Sequence, residues 1–119
     1  MNEKRNILKD KSFAFAVRVI RLYQYLAEKK KEYVLSKQLL RSGTAIGALV
    51  REAQNAESTK DFIHKLGISQ KECDETIYWL ELLKETEYLN EKEFESINQE
   101  ANELLKMLRS AIITSKKNL

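Results

Sequence analysis

Apolar side chains recur at intervals of three and four residues in four successive stretches of the chain, and only short polar breaks separate them. That spacing gives each stretch an apolar stripe when wound at 3.6 residues per turn, so the pattern predicts four amphipathic helices, over about 12–28, 35–57, 59–85 and 91–114. Breaks this short make consecutive helices antiparallel neighbours. The expected fold is therefore all-α: a single domain over residues 1–119, an up-down-up-down antiparallel four-helix bundle. Residues 1 to about 11 read as a polar, basic lead-in expected to be frayed and flexible. Ser12 is the expected N-cap of the first helix. Ser58-Thr59-Lys60-Asp61 and Asn90-Glu91-Lys92-Glu93 carry cap signals for the third and fourth.

The stripes differ in width. The fourth helix has one: Phe94, Ile97, Ala101, Leu104, Leu105, Leu108, Ala111 and Ile112. The third has a main stripe of Phe62, Leu66, Cys73, Ile77 and Leu80, and a second apolar edge of Ile68, Trp79 and Leu82. The first is wider still, with Phe13, Val17, Ile20 and Ala27 on one side and Phe15, Val19, Leu22 and Leu26 on the adjoining one. A lone bundle needs one stripe per helix. At ~25 cal/mol per Å², leaving several large side chains wet forfeits several kcal/mol, which rivals the net stability of a small domain, ~5–15 kcal/mol. The surplus predicts self-association through the first and third helices, with Phe15, Val19, Leu22, Leu26, Ile68, Trp79 and Leu82 in the contact and Glu72 and Glu75 at its edge.

Composition sharpens the fold class. The 119 residues hold no proline and three glycines, far too few turn formers for an all-β sandwich or barrel. One cysteine allows no internal disulfide, and with the polar start of the chain it suits the cytoplasm. No apolar run is long enough for a membrane span. The net charge is only +3, but it is unevenly spread: residues 1–60 carry 13 basic and 6 acidic side chains, residues 61–119 carry 8 and 12. Such a split suits a basic face for a polyanion, or docking of the basic half on another copy's acidic half.

Catalytic chemistry finds little support, and the chain reads as a non-enzyme without cofactor or metal. His64 and Cys73, nine residues apart on one helix, lie about 180° and ~13 Å from each other and cannot form a dyad. Cys73 falls on the core stripe. Di-metal bundles need two Glu-x-x-His motifs, whereas Asp61-Phe62-Ile63-His64 is a single approximate copy. Glu72 and Glu75 read as ion-pair partners for an Arg or Lys on a neighbouring helix. The small-residue run Ser42-Gly43-Thr44-Ala45-Ile46-Gly47-Ala48 lacks the strand and the Gly-Lys-Ser/Thr ending of a phosphate loop, so it predicts close approach of another helix backbone. The basic residues carry the functional hint. Arg18, Arg21, Tyr25 and Lys29 share a polar strip with Lys11, Lys30 and Lys31 prolong it, and Lys37 and Arg41 lie a turn apart on the second helix. Cations interleaved with a tyrosine suit RNA or DNA: phosphates on the cations, an occasional base stacked on the ring. The competing expectation is a protein–protein scaffold with no nucleic-acid ligand.

An ordered series of motifs adds a resemblance. Lys11-Ser12 with Phe15-Ala16, Glu32-Tyr33, Gln38-Leu39-Leu40-Arg41-Ser42-Gly43-Thr44, Ile46-Gly47-Ala48 and Glu52-Ala53 lead it. Ala56-Glu57-Ser58, Asp61-Phe62, Lys71-Glu72, Glu75-Thr76, Tyr78-Trp79-Leu80 and Leu82-Leu83 complete it. Over nearly the whole chain the series resembles the bacterial four-helix-bundle proteins encoded in intervening sequences of 23S rRNA genes. Ala45 and Leu49 stand where that family commonly has Ser and Asn. The resemblance implies a left-handed up-down bundle assembled as a homopentamer. It extends to the accessory proteins of diversity-generating retroelements, pentameric bundles with basic surfaces that bind nucleic acid. It implies no enzymatic activity, and the "ribosomal protein" label of some members reflects gene location.

Overall fold

In the computed structural model, which describes residues 3–119 (side chains from residue 7 onward), four helices follow in order. They are α1 (Glu3–Glu28), α2 (Leu35–Gln54), α3 (Thr59–Glu85) and α4 (Glu91–Lys117). Each packs on its neighbours in sequence and α1 closes on α4, the arrangement of an up-down-up-down bundle. The result is a rod of 47 × 21 × 20 Å.

Two of the four starts carry the side-chain caps that the sequence signals. The Ser58 hydroxyl accepts from the Asp61 N–H at 3.0 Å. Asn90 and Glu93 form a reciprocal capping box, with bonds of 2.8 and 2.9 Å. The start of α1 differs from expectation. It is helical from Glu3, and Ser12 is not a cap but an interior residue, 1% exposed, whose hydroxyl donates back to the Lys9 carbonyl. The reason is packing: Leu8, one turn earlier, is buried in the core and draws the helix on past Ser12. The expected lead-in is thus helical over 3–11, and Met1 and Asn2 lie outside the described residues. At the other ends, α2 stops at Gln54, short of Glu57, and α4 runs on to Lys117.

The core settles which faces turn inward. Phe15, Val19 and Leu26 of α1 are at most 1% exposed, and Leu22 packs on the same cluster half-buried. They meet Leu39, Ile46 and Val50 of α2, Phe62, Leu66, Cys73 and Leu80 of α3, and the single stripe of α4. The expectation that Phe15, Val19 and Leu26 lie in a subunit contact is therefore corrected: they are interior. It is the other stripe of α1 that faces out, with Phe13 56% and Ile20 39% exposed. Both stripes are apolar enough to be buried, so fit decides between them.

That fit is visible at the glycines. A Cβ on Gly43 would sit 2.7 Å from a Val19 methyl, and one on Gly47 would sit 3.3 Å from the Ser12 carbonyl oxygen. The small-residue run of α2 is thus the seat of α1, as its composition predicted. Gly67 of α3 faces open space. Gly43→Ala should destabilise the fold by about 1 kcal/mol, since overpacking of ~1–3 kcal/mol exceeds a helix gain of ~1 kcal/mol. Gly67→Ala should stabilise it by ~0.5–1 kcal/mol. Urea titration of both variants checks the opposite signs.

Candidate nucleic-acid interface

The basic strip divides into a shaft and a tip. On the shaft, acids of the same chain hold the cations. Lys11 lies 3.6 Å from Glu103. Arg18 reaches across to α4, donating to Glu100 at 2.7 Å, to the Ser96 hydroxyl at 2.7 Å and to the Ser96 carbonyl at 3.3 Å. Arg41 donates to both oxygens of Glu72, at 3.2 and 3.4 Å, and to Glu75. Glu75 also accepts from the Trp79 indole N–H at 3.0 Å, and the two bonds, the indole's foremost, hold its carboxyl below the usual range. Arg18 and Arg41 therefore belong to the bundle's own ion pairs, and Glu72 and Glu75 take their cation from α2.

The tip is different. Arg21, Lys29, Lys30, Lys31 and Lys37 are exposed, and none has an ion pair among the described residues. The four lysines gather where α1 ends and α2 begins, and Arg21 lies two turns before the end of α1. The chain reverses at Lys31, whose φ of 56° lies in the left-handed region, and the turn closes with the Glu32 N–H donating to the Leu26 carbonyl at 3.0 Å. This reversal pushes Tyr33 and Val34 outward, 51% and 72% exposed, beside the lysines. Arg21 and Tyr25 share with Arg18 and Leu22 a groove of about 350 Å³ between α1 and α4, facing Leu89, Glu93 and Ile97. Tyr33 and Val34 escaped sequence reasoning, because a half-apolar break looks the same whether its side chains fold in or stand out.

Glu32 organises the tip from beneath. Although only 8% exposed, its carboxylate accepts from the N–H groups of Val34 (3.1 Å), Leu35 (2.9 Å) and Ser36 (2.7 Å). The Ser36 hydroxyl returns a bond of 2.7 Å to the Glu32 carbonyl. Burial pushes the carboxyl pKa up, but these donors outweigh it and the net shift is downward. The N-terminus of α2 is thus filled by the protein's own anion, and phosphate at this end must be met by side chains. An acidic residue one turn ahead of a helix is a legible signal for this. Glu32→Ala should cost about 2 kcal/mol. In the parent chain the folded pKa lies below the ordinary 4.5, so this contribution is complete above pH 4.5 and is lost as pH falls below it, where the unfolded chain binds the proton first. A flatter acid limb in the stability–pH profile of Glu32→Gln would verify the assignment.

The opposite half of this end, where α3 stops and α4 starts, exposes Glu85, Glu87 and Glu93 against a single unpaired cation among the described residues, Lys92, with Lys84 paired to Glu91 at 3.0 Å. The end of the rod is therefore half basic and half acidic. Elsewhere, chemistry is sparse. Burial, with the nearby Asp74 charge, pushes the Cys73 thiol up to about 12, and its S–H points at the Ala101 carbonyl. His64 is exposed on the first turns of α3. Among the described residues no group of three or more His, Cys, Asp or Glu side chains is placed to hold a metal ion, and no helix is long and apolar enough to cross a membrane. Ile68, Trp79 and Leu82 are half-buried on α3.

Comparison with known proteins bears on this geometry. A crystal structure from Bacteroides thetaiotaomicron VPI-5482, described as a protein with unknown function from the S23 ribosomal protein family, superposes with a TM-score of 0.91. It is 55% identical, over 92% of this chain and 97% of that one. Among curated proteins no match was found. The family model for the 23S rRNA-intervening sequence protein matches residues 4–110, nearly the whole bundle with the tip included, and the chain belongs to that family.

Proposed function

We propose that this protein is a non-enzymatic homo-oligomeric bundle, a pentamer as the resemblance implies, that binds RNA or DNA through the α1–α2 tip. The observation that carries the reading is the sorting within the basic strip of α1 and α2: Lys11, Arg18 and Arg41 are matched by acids of the same chain, while Arg21 and four lysines are left without an ion pair near two exposed tyrosines. Unmatched exposed cations gain most from phosphate, because binding releases counterions and breaks no existing pair. A ring of copies would present the tip several times and multiply avidity. The outward stripe of α1 (Phe13, Val17, Ile20) and the α3 edge (Ile68, Trp79, Leu82) are different surfaces, so association through them is head-to-tail, the type of contact that forms a ring when the rotation between copies closes.

The scaffold reading has one observation in its favour: Glu85, Glu87 and Glu93 offer an acidic patch to a neighbour's lysines. Filter binding of labelled RNA and DNA across a salt series separates the two. Binding at low salt with a steep negative dependence on salt supports the nucleic-acid reading; no binding at low salt removes it. Light scattering on the same sample reads the assembly, and a monomer mass at micromolar concentration removes the oligomer.

A further inference from the structure

The tip also carries information about which form of nucleic acid fits, an inference that rests on the reading above. We propose that it grips single strands in preference to duplex, with Tyr33, and Tyr25 at the mouth of the α1–α4 groove, as stacking surfaces beside phosphate-binding lysines.

Three features of the geometry point this way. Tyr33 and Tyr25 are 51% and 39% exposed; Tyr33 follows Lys29, Lys30 and Lys31 in the turn and Tyr25 lies one helical turn before Lys29, so two exposed rings and the unpaired lysines share one short stretch of chain. Unstacked bases offer π-faces to such rings, whereas bases inside a duplex do not. Secondly, the amides that could hold a phosphate rigidly are taken by Glu32. What remains is long, mobile lysine side chains, which can follow an irregular strand. Thirdly, the basic area covers only half of an end that is 20–21 Å across. A duplex laid over it would set one phosphate row on the lysines. Its second row, across a groove of ~6 or ~12 Å, would fall toward Glu85 and Glu87. A single strand has no second row and can run over the lysines and Tyr33 of the α1–α2 turn, clear of Glu85 and Glu87.

The test is fluorescence anisotropy with a labelled mixed-sequence 12-nucleotide DNA, its RNA counterpart, and the same DNA annealed to its complement. The single strands should bind at least ~10-fold tighter than the duplex. Tyr33→Ala, at an exposed site outside the core, should weaken single-strand binding by ~5- to 100-fold and leave duplex binding and the salt slope unchanged, while Tyr33→Phe should retain parent affinity. Equal affinity for strand and duplex, or a Tyr33→Ala variant that shifts both alike or neither, would overturn the proposal while leaving the polyanion reading intact. Absence of binding to every probe at low salt would remove both.

Discussion

Phe15→Ala should cost the protein about 3–5 kcal/mol in urea unfolding, a large part of the ~5–15 kcal/mol that holds a domain of this size together. The ring is 1% exposed and surrounded by core residues from the other helices, so truncation leaves a cavity that the bundle closes only in part. Two residues earlier on the same helix, Phe13→Ala should behave in the opposite way. Its ring is 56% exposed, with the Arg51 guanidinium 5.4 Å from its centre. Losing that contact costs ~0.5–1 kcal/mol, but the variant should shift the measured mass toward the protomer. Since subunit association adds concentration-dependent stability, both variants are compared at two protein concentrations. Little loss at Phe15 with dissociation there would restore the inner stripe as the subunit contact.

Lys29→Glu, Lys30→Glu and Lys31→Glu combined should reduce nucleic-acid affinity by at least ~100-fold near 0.1 M salt and lower the salt slope by roughly 2–3. These are three of the five cations at the tip. None is engaged by an acid, so the melting temperature should hardly move. Arg41→Gln and Arg18→Gln form the complementary pair. Each breaks exposed ion pairs worth at most ~1 kcal/mol and should leave binding near parent values. If the shaft variants weakened binding as much as the tip variants, the strip would act as one continuous surface and the division between tip and shaft would fail.

Much of this was legible along the chain. The caps at Ser58 and Asn90 span three residues each and depend on nothing distant, so their motifs were sufficient. Gly43 and Gly47 announced a close helix contact because only a missing side chain admits one. Cys73 followed from its place on the main stripe of α3. Where α1 begins was less legible, because the polar run from Lys9 to Lys11 gives no helical period while Leu8 anchors the turn from the core.

The sequence by itself determined four helices, their antiparallel order, two of their caps and an excess of apolar surface on α1, because each is set by neighbours a few residues apart or by a residue count. Tertiary structure alone decided which stripe of α1 faces inward and which cations stay free. The stripes have similar apolar content, and the seat formed by Gly43 and Gly47, where Val19 and Ser12 pack, favours one. Arg18 finds Glu100 82 residues along the chain, and Arg41 finds Glu75 34 residues away. A charge is neutralised by whatever the fold carries to within a few ångströms, and no local period encodes that distance.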